Sequence, residues 1–440
     1  MTHLWRGACA ACLLACSTRA DDWPQWLGPE RDSVWREMGI LKTFPDGGAK
    51  VLWRQPIGSG FAGPAVAGGR VFVTDYVTEQ IPVPSAGRRD RLNGRERILC
   101  FSAGEGKLLW KYEYERPYHI SYASGPRVTP TVDGDRVYAL GAEGNLVCLR
   151  SVDGTLVWAR DLPADYDFET PQWGFSGHPL VDGNKLICLV GGNGSIAVAF
   201  DKQTGKELWR ALSAKEPGYC PPTLIEAGKT RQLLIWHSDA LNSLDPESGK
   251  LYWSEPIDAS WGMAIAAPRR DGPFLFVGAI VMKSMLVRLD ANRPAAEVVW
   301  TGRKGIGIAP TISTPFLENG HMYGVDREGE LRCVKLETGE QLWSTYDATT
   351  PGQGLDNASA FLVKHEDRFF IFNERGELVI AKMSPDGYEP ISRAKIIEPN
   401  SNTVRSGRED PIVWSHPAFA QRCVFARNDN ELVCVSLAAE

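Results

Sequence analysis

Apolar residues occur along this chain in short runs, and tight-turn residues separate each run from the next. Within 129–158, "TPTVDGDRVYALGAEGNLVCLRSVDGTLVW", four apolar runs are separated by "DGD", "EGN" and "VDGT". Short apolar runs bounded by Gly, Asp and Asn are typical of strands joined by hairpin turns. The spacing lacks the 3.6-residue period of an amphipathic helix. The pattern therefore predicts repeated units of four short antiparallel strands.

The unit recurs because an apolar run ends in tryptophan at seven places, separated by 43 to 57 residues. A period of this size indicates a propeller or a solenoid, and four strands per unit favour a propeller blade. An eighth unit, at 359–397, lacks the tryptophan. The seven tryptophans are Trp53, Trp110, Trp158, Trp209, Trp253, Trp300 and Trp343.

The two ends of the repeat region complement each other. Residues 415–437 supply three strands, and residues 50–57 supply one strand with no blade before it. Joining them completes a blade and closes the ring, which removes exposed sheet edges. The sequence predicts an all-β fold, an eight-bladed β-propeller of four-stranded antiparallel blades, with seven blades as the alternative. We expect a single domain over 50–437, preceded by an N-terminal lead-in at 21–49.

Strand direction distributes the loops over two faces of the ring. The first and third turns of each blade, such as "VDGDR" and "ESGK", are expected on one face. The longer connections between blades share the opposite face, here called the loop face, with the second turns. Variable connections on a rigid scaffold commonly carry binding sites, so we expect the functional site there.

The N-terminus indicates an exported protein. Residues 1–20 fit a signal peptide, because Arg6 precedes the apolar run "ACAACLLAC" and Ala20 ends a small-residue cleavage site. The alternative is a lipoprotein signal, in which "LLAC" makes Cys16 the lipid anchor. No other stretch is long and apolar enough to span a membrane. We expect a monomer in the periplasm or cell envelope, either soluble or lipid-anchored.

Charge and cysteine content exclude some classes of function. The net charge of −6 argues against nucleic acid as a partner. Seven of the ten cysteines follow residue 20, and this odd number cannot pair completely. Most of them lie inside apolar strands, where a thiol packs as a small hydrophobic group. Four histidines fall on the loop face, but a metal site needs three or four to converge, and we predict no metal.

Two repeats carry the clearest motif, "DKQTGKELW" (201–209) and "DPESGKLYW" (245–253). They resemble the blade motif A-x-D-x-x-T-G-x-x-x-W of the PQQ-like (quinoprotein-type) β-propeller repeat family. The resemblance implies that each of the seven tryptophans docks against a turn of the neighbouring blade. The lead-in "DDWPQWLGPERDS" (21–33) is similar to the opening of exported bacterial members. Those members are commonly named for similarity to BamB, the propeller lipoprotein of the outer-membrane β-barrel assembly machinery.

The resemblance also bears on cofactors. The quinoprotein dehydrogenases that share this repeat bind a disc-shaped quinone. The resemblance implies that a disulfide between adjacent cysteines, a stacking tryptophan and a calcium ion would hold it. This chain has no adjacent cysteine pair and no long insertion that could cover such a site. We therefore predict neither the quinone (PQQ) nor calcium as a cofactor. We predict no catalytic residue either, since no nucleophile elbow, phosphate loop or zinc-protease motif is present.

Aromatic and histidine side chains are frequent in the connections of the loop face. Exposed rings there would form a stacking surface for a sugar, a peptide or an apolar patch of a partner. The alternative is that they fill the channel mouth and pack between blades. The candidates are Tyr118, His119, Tyr122, Trp173, His178, Tyr219, His237, Trp261, Trp414 and His416.

These observations predict a non-catalytic binding or assembly scaffold that holds a protein or polymer partner at its loop face. Two alternatives stay open: a quinoprotein-type oxidoreductase or other enzyme with its site at the channel mouth, and a carbohydrate-binding propeller. The superfamily contains both enzymes and non-enzymes, so the fold alone does not choose between them.

Overall fold

The computed structural model describes residues 21–80, 89–401 and 410–439. The predicted signal peptide and Cys16 lie outside these residues. Eight four-stranded antiparallel sheets form the blades of a propeller. The prediction of an all-β, eight-bladed ring is confirmed, and the alternative of seven blades is wrong.

Blades 1 to 4 follow one another along the chain, and each begins with its innermost strand. Their strands are Ala65–Ala67, Arg70–Val77, Arg95–Ser102 and Leu108–Glu115 in blade 1; Thr131–Asp133, Arg136–Leu140, Asn145–Arg150 and Leu156–Asp161 in blade 2; Leu180–Asp182, Lys185–Leu189, Ala197–Asp201 and Glu207–Ala211 in blade 3; and Thr223–Ala227, Thr230–Trp236, Ala240–Leu244 and Leu251–Pro256 in blade 4.

Blades 5 to 8 complete the ring. Their strands are Arg269–Asp271, Phe274–Ala279, Lys283–Leu289 and Ala296–Thr301 in blade 5; Phe316–Glu318, His321–Val325, Leu331–Lys335 and Gln341–Thr345 in blade 6; Ala360–His365, Arg368–Asn373, Glu377–Ser384 and Gly387–Lys395 in blade 7; and Ala418–Ala420, Cys423–Arg427, Glu431–Ser436 and the N-terminal Lys50–Pro56 in blade 8. The N-terminal strand pairs antiparallel with Glu431–Ser436, as predicted for ring closure.

The remaining regular elements lie in the connections. Strands Asp90–Leu92 and Tyr118–Ile120 pair beside blade 1. A short α-helix, Leu162–Tyr166, follows blade 2, and a 3₁₀ turn, Ser260–Gly262, precedes blade 5.

The junction between blades 2 and 3 shows how a repeat tryptophan contacts its neighbour. Trp158 Nε1 donates to the carbonyl of Lys202 at 3.1 Å. Its ring lies over Gly205, where a Cβ atom would come within 2.7 Å of it. Gly205 has a φ of 71°, which a glycine adopts without strain. Blade-to-turn bonds of the same kind are made by Trp53, Trp110, Trp209, Trp300 and Trp343.

Trp253 differs from the other six. Its Nε1 donates to Gln232 Oε1 at 2.8 Å, and Gln232 belongs to the same blade. The corresponding turn of blade 5, at 290–295, contains no glycine, so its backbone cannot approach the indole ring as closely. The ring instead packs on a buried cluster formed by blades 4 and 5, with Leu275 and Leu289 among its members. Trp253 therefore contacts blade 5 through this cluster, whereas its Nε1 bonds within blade 4 and not to a neighbouring turn.

The lead-in at 21–49 enters the central channel of the ring. Trp23 forms an antiparallel bridge with Val66 in the innermost strand of blade 1. The carbonyl of Pro24 accepts a bond from the Val132 amide in blade 2. The chain then turns at Leu27 and Gly28, with φ values of 61° and 86°.

On the return path, the lead-in contacts the opposite side of the ring. Arg31 donates to the Pro179 carbonyl of blade 3, and the Arg269 guanidinium of blade 5 donates to the Arg31 carbonyl. The Trp35 amide donates to the Lys364 carbonyl of blade 7. Residues 22–37 therefore form a loop inside the channel, here called the plug, which the sequence-based interpretation as a lead-in did not anticipate.

Candidate functional site

A cavity of about 690 Å³ opens on the loop face, at the end of the channel that the plug closes. Every connection that leads into a blade contributes to its wall, including Phe61 before blade 1, Asn357 before blade 7 and Trp414 before blade 8. Trp26, at the apex of the plug, forms part of the same wall. The cavity is thus built jointly by the ring and by the N-terminal segment.

Most of the candidate residues converge on this cavity. Seven of the ten line it: Tyr122, Trp173, His178, Tyr219, Trp261, Trp414 and His416. They come from connections that are distant in sequence, and only closure of the ring brings them together.

Tyr118, His119 and His237 do not line the cavity. Tyr118 is buried at the junction of blades 1 and 2, where its ring stacks on Tyr76 with centroids 3.9 Å apart. The ring of His119 projects into solvent from the small strand pair Asp90–Leu92 and Tyr118–Ile120. His237 Nδ1 accepts a bond from the Asp239 amide within a tight turn. Packing therefore accounts for Tyr118 and local backbone bonding for His237, whereas the ring of His119 is exposed away from the cavity.

Two histidines surround the apex of the plug. The indole of Trp26 stacks on His178 with centroids 4.7 Å apart, and meets His416 edge-on at 5.5 Å. His178 Nδ1 accepts a bond from the Thr129 amide, so a neutral ring carries its proton on Nε2. Burial lowers the pKa of His178 well below its usual value, and His416 and Arg31 lower it further. Burial lowers the pKa of His416 to about 3.

We expect acid to destabilise the protein through these two histidines. The unfolded chain binds protons on them below their ordinary pKa of 6.5, whereas the folded chain keeps them neutral. Stability is therefore complete above that value and falls as pH decreases, by up to about 1.4 kcal/mol per pH unit for each histidine. Urea unfolding between pH 7.5 and pH 4.5 should show a shallower decline for His416→Gln than for the natural protein. Equal slopes would contradict this prediction, and His119→Gln, at an exposed ring, is the control.

The rim of the cavity carries strained aromatic residues. Trp261 is 66% exposed and has a φ of 56°, and Tyr122 has a φ of 50°. Left-handed backbone at a non-glycine residue costs about 1–3 kcal/mol and is concentrated at functional sites. Trp261 therefore presents its indole to solvent at the cavity rim rather than to the protein core.

Charged groups of both signs line the wall. The guanidinium of Arg127 is committed to the backbone carbonyls of Ser121 and Tyr122, at 2.8 and 2.6 Å, and stacks over Phe61. Burial lowers the pKa of Arg127. Arg327 forms an ion pair with Asp356, with Nε and Oδ1 2.8 Å apart.

Glu216 is the acidic side chain among the described residues that line the cavity. Its Oε2 is buried and has no hydrogen-bond partner among the described residues. A Cβ atom on Gly262 would lie 2.6 Å from this oxygen, so the carboxyl group packs against the backbone next to Trp261. Burial raises the pKa of Glu216, and the charge of Arg89 opposes that effect.

Residues 21–80, 89–401 and 410–439 form neither a metal-binding cluster nor a membrane-spanning helix. Within them, no group of three or more His, Cys, Asp or Glu side chains is arranged to hold a metal ion. In the same ranges, no helix has the length and apolar character needed to cross a bilayer. All seven cysteines there are buried and unpaired.

Sequence reasoning missed several residues of the wall. Trp26 lies in the lead-in, and its signal was the presence of three tryptophans within 23–35, a high density for a linker. Arg127 and Glu216 belong to connections that do not repeat, so no comparison between blades draws attention to them. Arg327 lies in the second turn of blade 6, between His321–Val325 and Leu331–Lys335. Ile280 and Met263 are ordinary apolar residues whose position at the cavity follows only from the folded ring.

The ring of eight four-stranded blades, with tryptophan-to-turn bonds between blades, defines a PQQ-like β-propeller. Comparison with known families gives the same result at the level of sequence. The chain belongs to the family described as outer membrane protein assembly factor BamB, which matches residues 94–279 and 240–440.

The similar proteins include both quinohemoprotein alcohol dehydrogenases and outer membrane protein assembly factors. The chain is 28% identical over 222 residues to the quinohemoprotein alcohol dehydrogenase ADH IIB of Pseudomonas putida, covering 45% of this chain and 30% of the relative. It is 21% identical over 266 residues to the outer membrane protein assembly factor BamB of Yersinia pestis, covering 58% of this chain and 65% of the relative. In both cases the match spans less than two thirds of the relative's length.

Solved structures agree on the fold. BamB from Moraxella catarrhalis superimposes with a TM-score of 0.53 at 13% identity, covering 88% of this chain and 99% of that one. The quinohemoprotein alcohol dehydrogenase from Comamonas testosteroni superimposes with a TM-score of 0.60 at 12% identity, covering 95% and 81%. At such identities the likeness concerns the fold alone, and the function has to be argued from the cavity.

Proposed function

We propose that this protein is an exported, non-catalytic scaffold that binds a partner through the cavity of its loop face. The observation that carries the proposal is the convergence of aromatic rings from separate blade connections on one cavity. Trp261 is exposed at its rim, and Tyr122, Trp173 and Trp414 are half-buried in its wall. Exposed aromatic anchors around a concave site are the usual source of binding energy at such surfaces. The description of the family as an outer membrane assembly factor supports a scaffold in the cell envelope.

Export and anchoring belong to the same proposal. The signal at 1–20 would deliver the chain to the periplasm or cell envelope, soluble after cleavage or anchored at Cys16. The side chain of Asp22 accepts a bond from the Gly68 amide, in the first turn of blade 1. That turn lies on the face opposite the cavity, so an anchor near the N-terminus would leave the loop face free for a partner.

The proposal is tested by comparing the amount of partner that the Trp261→Ala variant binds with the amount that the natural protein binds. Loss of an exposed aromatic anchor should weaken binding by about 2 kcal/mol, or roughly 30-fold, without unfolding the ring. Purified protein and variants would be immobilised and exposed to detergent-solubilised material from the cell envelope, with quantitative mass spectrometry of what binds. The matched control is Val152→Ala, because Val152 is 58% exposed in a third turn on the opposite face. Equal capture by Trp261→Ala and the natural protein would contradict the proposal.

A quinone-dependent oxidoreductase is the second candidate, favoured by the similarity to quinohemoprotein alcohol dehydrogenases. Calcium requires six to eight oxygen ligands, commonly carboxylates. Asp356 is already paired with Arg327, and among the described residues that line the cavity the carboxyl group is that of Glu216. The chain also contains no adjacent cysteine pair. This donor set does not fit the quinone and calcium, and titration with both should leave the absorption spectrum equal to the sum of the components. A new cofactor band would favour the enzyme.

A further inference from the structure

The shape of the cavity limits what can enter it. The plug closes the channel below, because Trp26 lies in the wall while Trp23 and Trp35 are bound to the innermost strands. A polymer therefore cannot pass through the ring along its axis. The volume of about 690 Å³ lies within the range of roughly 300–1,000 Å³ that is typical of sites for small ligands. A compact group, or the end of a longer chain, fits this shape.

The polar groups of the wall include donors, acceptors and groups that do both. Glu216 supplies a carboxylate acceptor whose Oε2 has no partner among the described residues. His178, neutral and bonded through Nδ1, carries an N–H on its other ring nitrogen. The Thr311 hydroxyl and the Trp26 indole N–H are buried in the same wall, likewise without a partner in the described ranges.

The charges of the wall disfavour an ionic ligand of either sign. A cation beside Glu216 would share the cavity with the guanidinium groups of Arg127 and Arg327. An anion would share it with the carboxyl group of Glu216, whose Oε2 has no hydrogen-bond partner in the part of the chain that the structure describes. Hydroxyl groups satisfy both kinds of neighbour, because each one donates to a carboxylate and accepts from an N–H.

An apolar side chain of a protein partner fits less well. It would cover the indole of Trp261, but it would leave Glu216 Oε2 without a hydrogen-bond partner. An unsatisfied polar group of this kind costs about 1–3 kcal/mol, and more when it is charged. A ring with an apolar face and hydroxyl groups at its edge meets both requirements at once.

We infer that the cavity binds a neutral, polyhydroxylated ring, a pyranose unit at the end of a glycan, with Trp261 against the ring face and Glu216 bonded to its hydroxyl groups. The inference rests on the proposed function and specifies the chemistry of the partner. Trp261 and Glu216 adjoin through Gly262, so one sugar unit can contact both.

The test uses the complete exported chain and a defined panel of neutral oligosaccharides. An array of gluco-, manno-, galacto-, xylo- and N-acetylglucosamine oligomers identifies binders, and tryptophan fluorescence with calorimetry then measures their dissociation constants. We expect saturable one-to-one binding of at least one oligomer. Trp261→Ala and the isosteric Glu216→Gln should each weaken it at least 10-fold, while Val152→Ala leaves it unchanged.

Three results would overturn the inference. One is the absence of binding anywhere on the panel at 10 mM sugar, and another is binding that neither variant weakens. The third is capture of an envelope protein that depends on Trp261 and that none of the oligomers competes away. In that third case the scaffold function stands and the glycan inference fails, whereas capture independent of Trp261 removes the scaffold function as well.

Discussion

Trp35→Ala is expected to lower the free energy of unfolding by about 3–5 kcal/mol, the usual cost of truncating a buried tryptophan. Trp35 is 1% exposed and lies in the plug between blades 7 and 8. Its ring centroid is 5.5 Å from that of Phe370 in blade 7 and 5.2 Å from that of Phe419 in blade 8. Alanine would leave a cavity between blades 7 and 8, which cannot move together because the ring is closed.

Urea unfolding followed by near-ultraviolet circular dichroism measures this effect. Met38→Ala is the control in the adjoining part of the lead-in, since Met38 is 76% exposed and its truncation should change the transition midpoint little. If Trp35→Ala and Met38→Ala unfold at the same urea concentration, residues 22–37 do not stabilise the ring and the plug is not part of the folded core.

Arg427→Met is expected to cost about 2–6 kcal/mol, because two backbone carbonyls of the blade 1 side would lose their buried donor. Arg427 is fully buried in blade 8, where burial lowers its pKa. Its Nη1 donates to the Thr74 carbonyl of blade 1 at 2.8 Å, and its Nη2 donates to the Gly58 carbonyl at 2.6 Å. One side chain thus bonds the last blade to the first.

The matched control at the same junction is Arg54→Met. Arg54 pairs with Glu431 across the closing strands, but in solvent, and exposed pairs contribute about 0–1 kcal/mol. Differential scanning calorimetry should therefore show a large decrease in the melting temperature for Arg427→Met and a small one for Arg54→Met. Similar decreases for the two variants would contradict the assigned role of Arg427 in ring closure.

The blades were predictable because their pattern is repeated. Each unit repeats the same apolar runs and glycine turns, so an error in one unit is corrected by the others. Ring closure followed from three strands at 415–437 and one at 50–57. Trp253 shows the limit of the argument, because its behaviour depends on a turn at 290–295 that lacks glycine, outside its own motif.

The site was predictable only in part. The expected strand direction placed the blade connections on one face, and seven candidate residues taken from them line the cavity. The sequence does not distinguish Tyr118 and His237 from the residues that line the cavity. Tyrosine and histidine occur both at buried blade junctions and at the channel mouth. The plug was missed since its residues follow no repeat, and their contacts with blades 1, 2, 3, 5 and 7 exist only in the closed ring.

The central claim is that the partner binds at the loop-face cavity, and site-specific photo-crosslinking in the cell envelope tests it most directly. A photoreactive phenylalanine derivative would replace Trp261 at the rim in one variant and Val152 on the opposite face in another, both exposed positions. We predict a discrete crosslinked adduct with protein or glycan from position 261 and none from position 152. An adduct from position 152 without one from position 261 would contradict the claim.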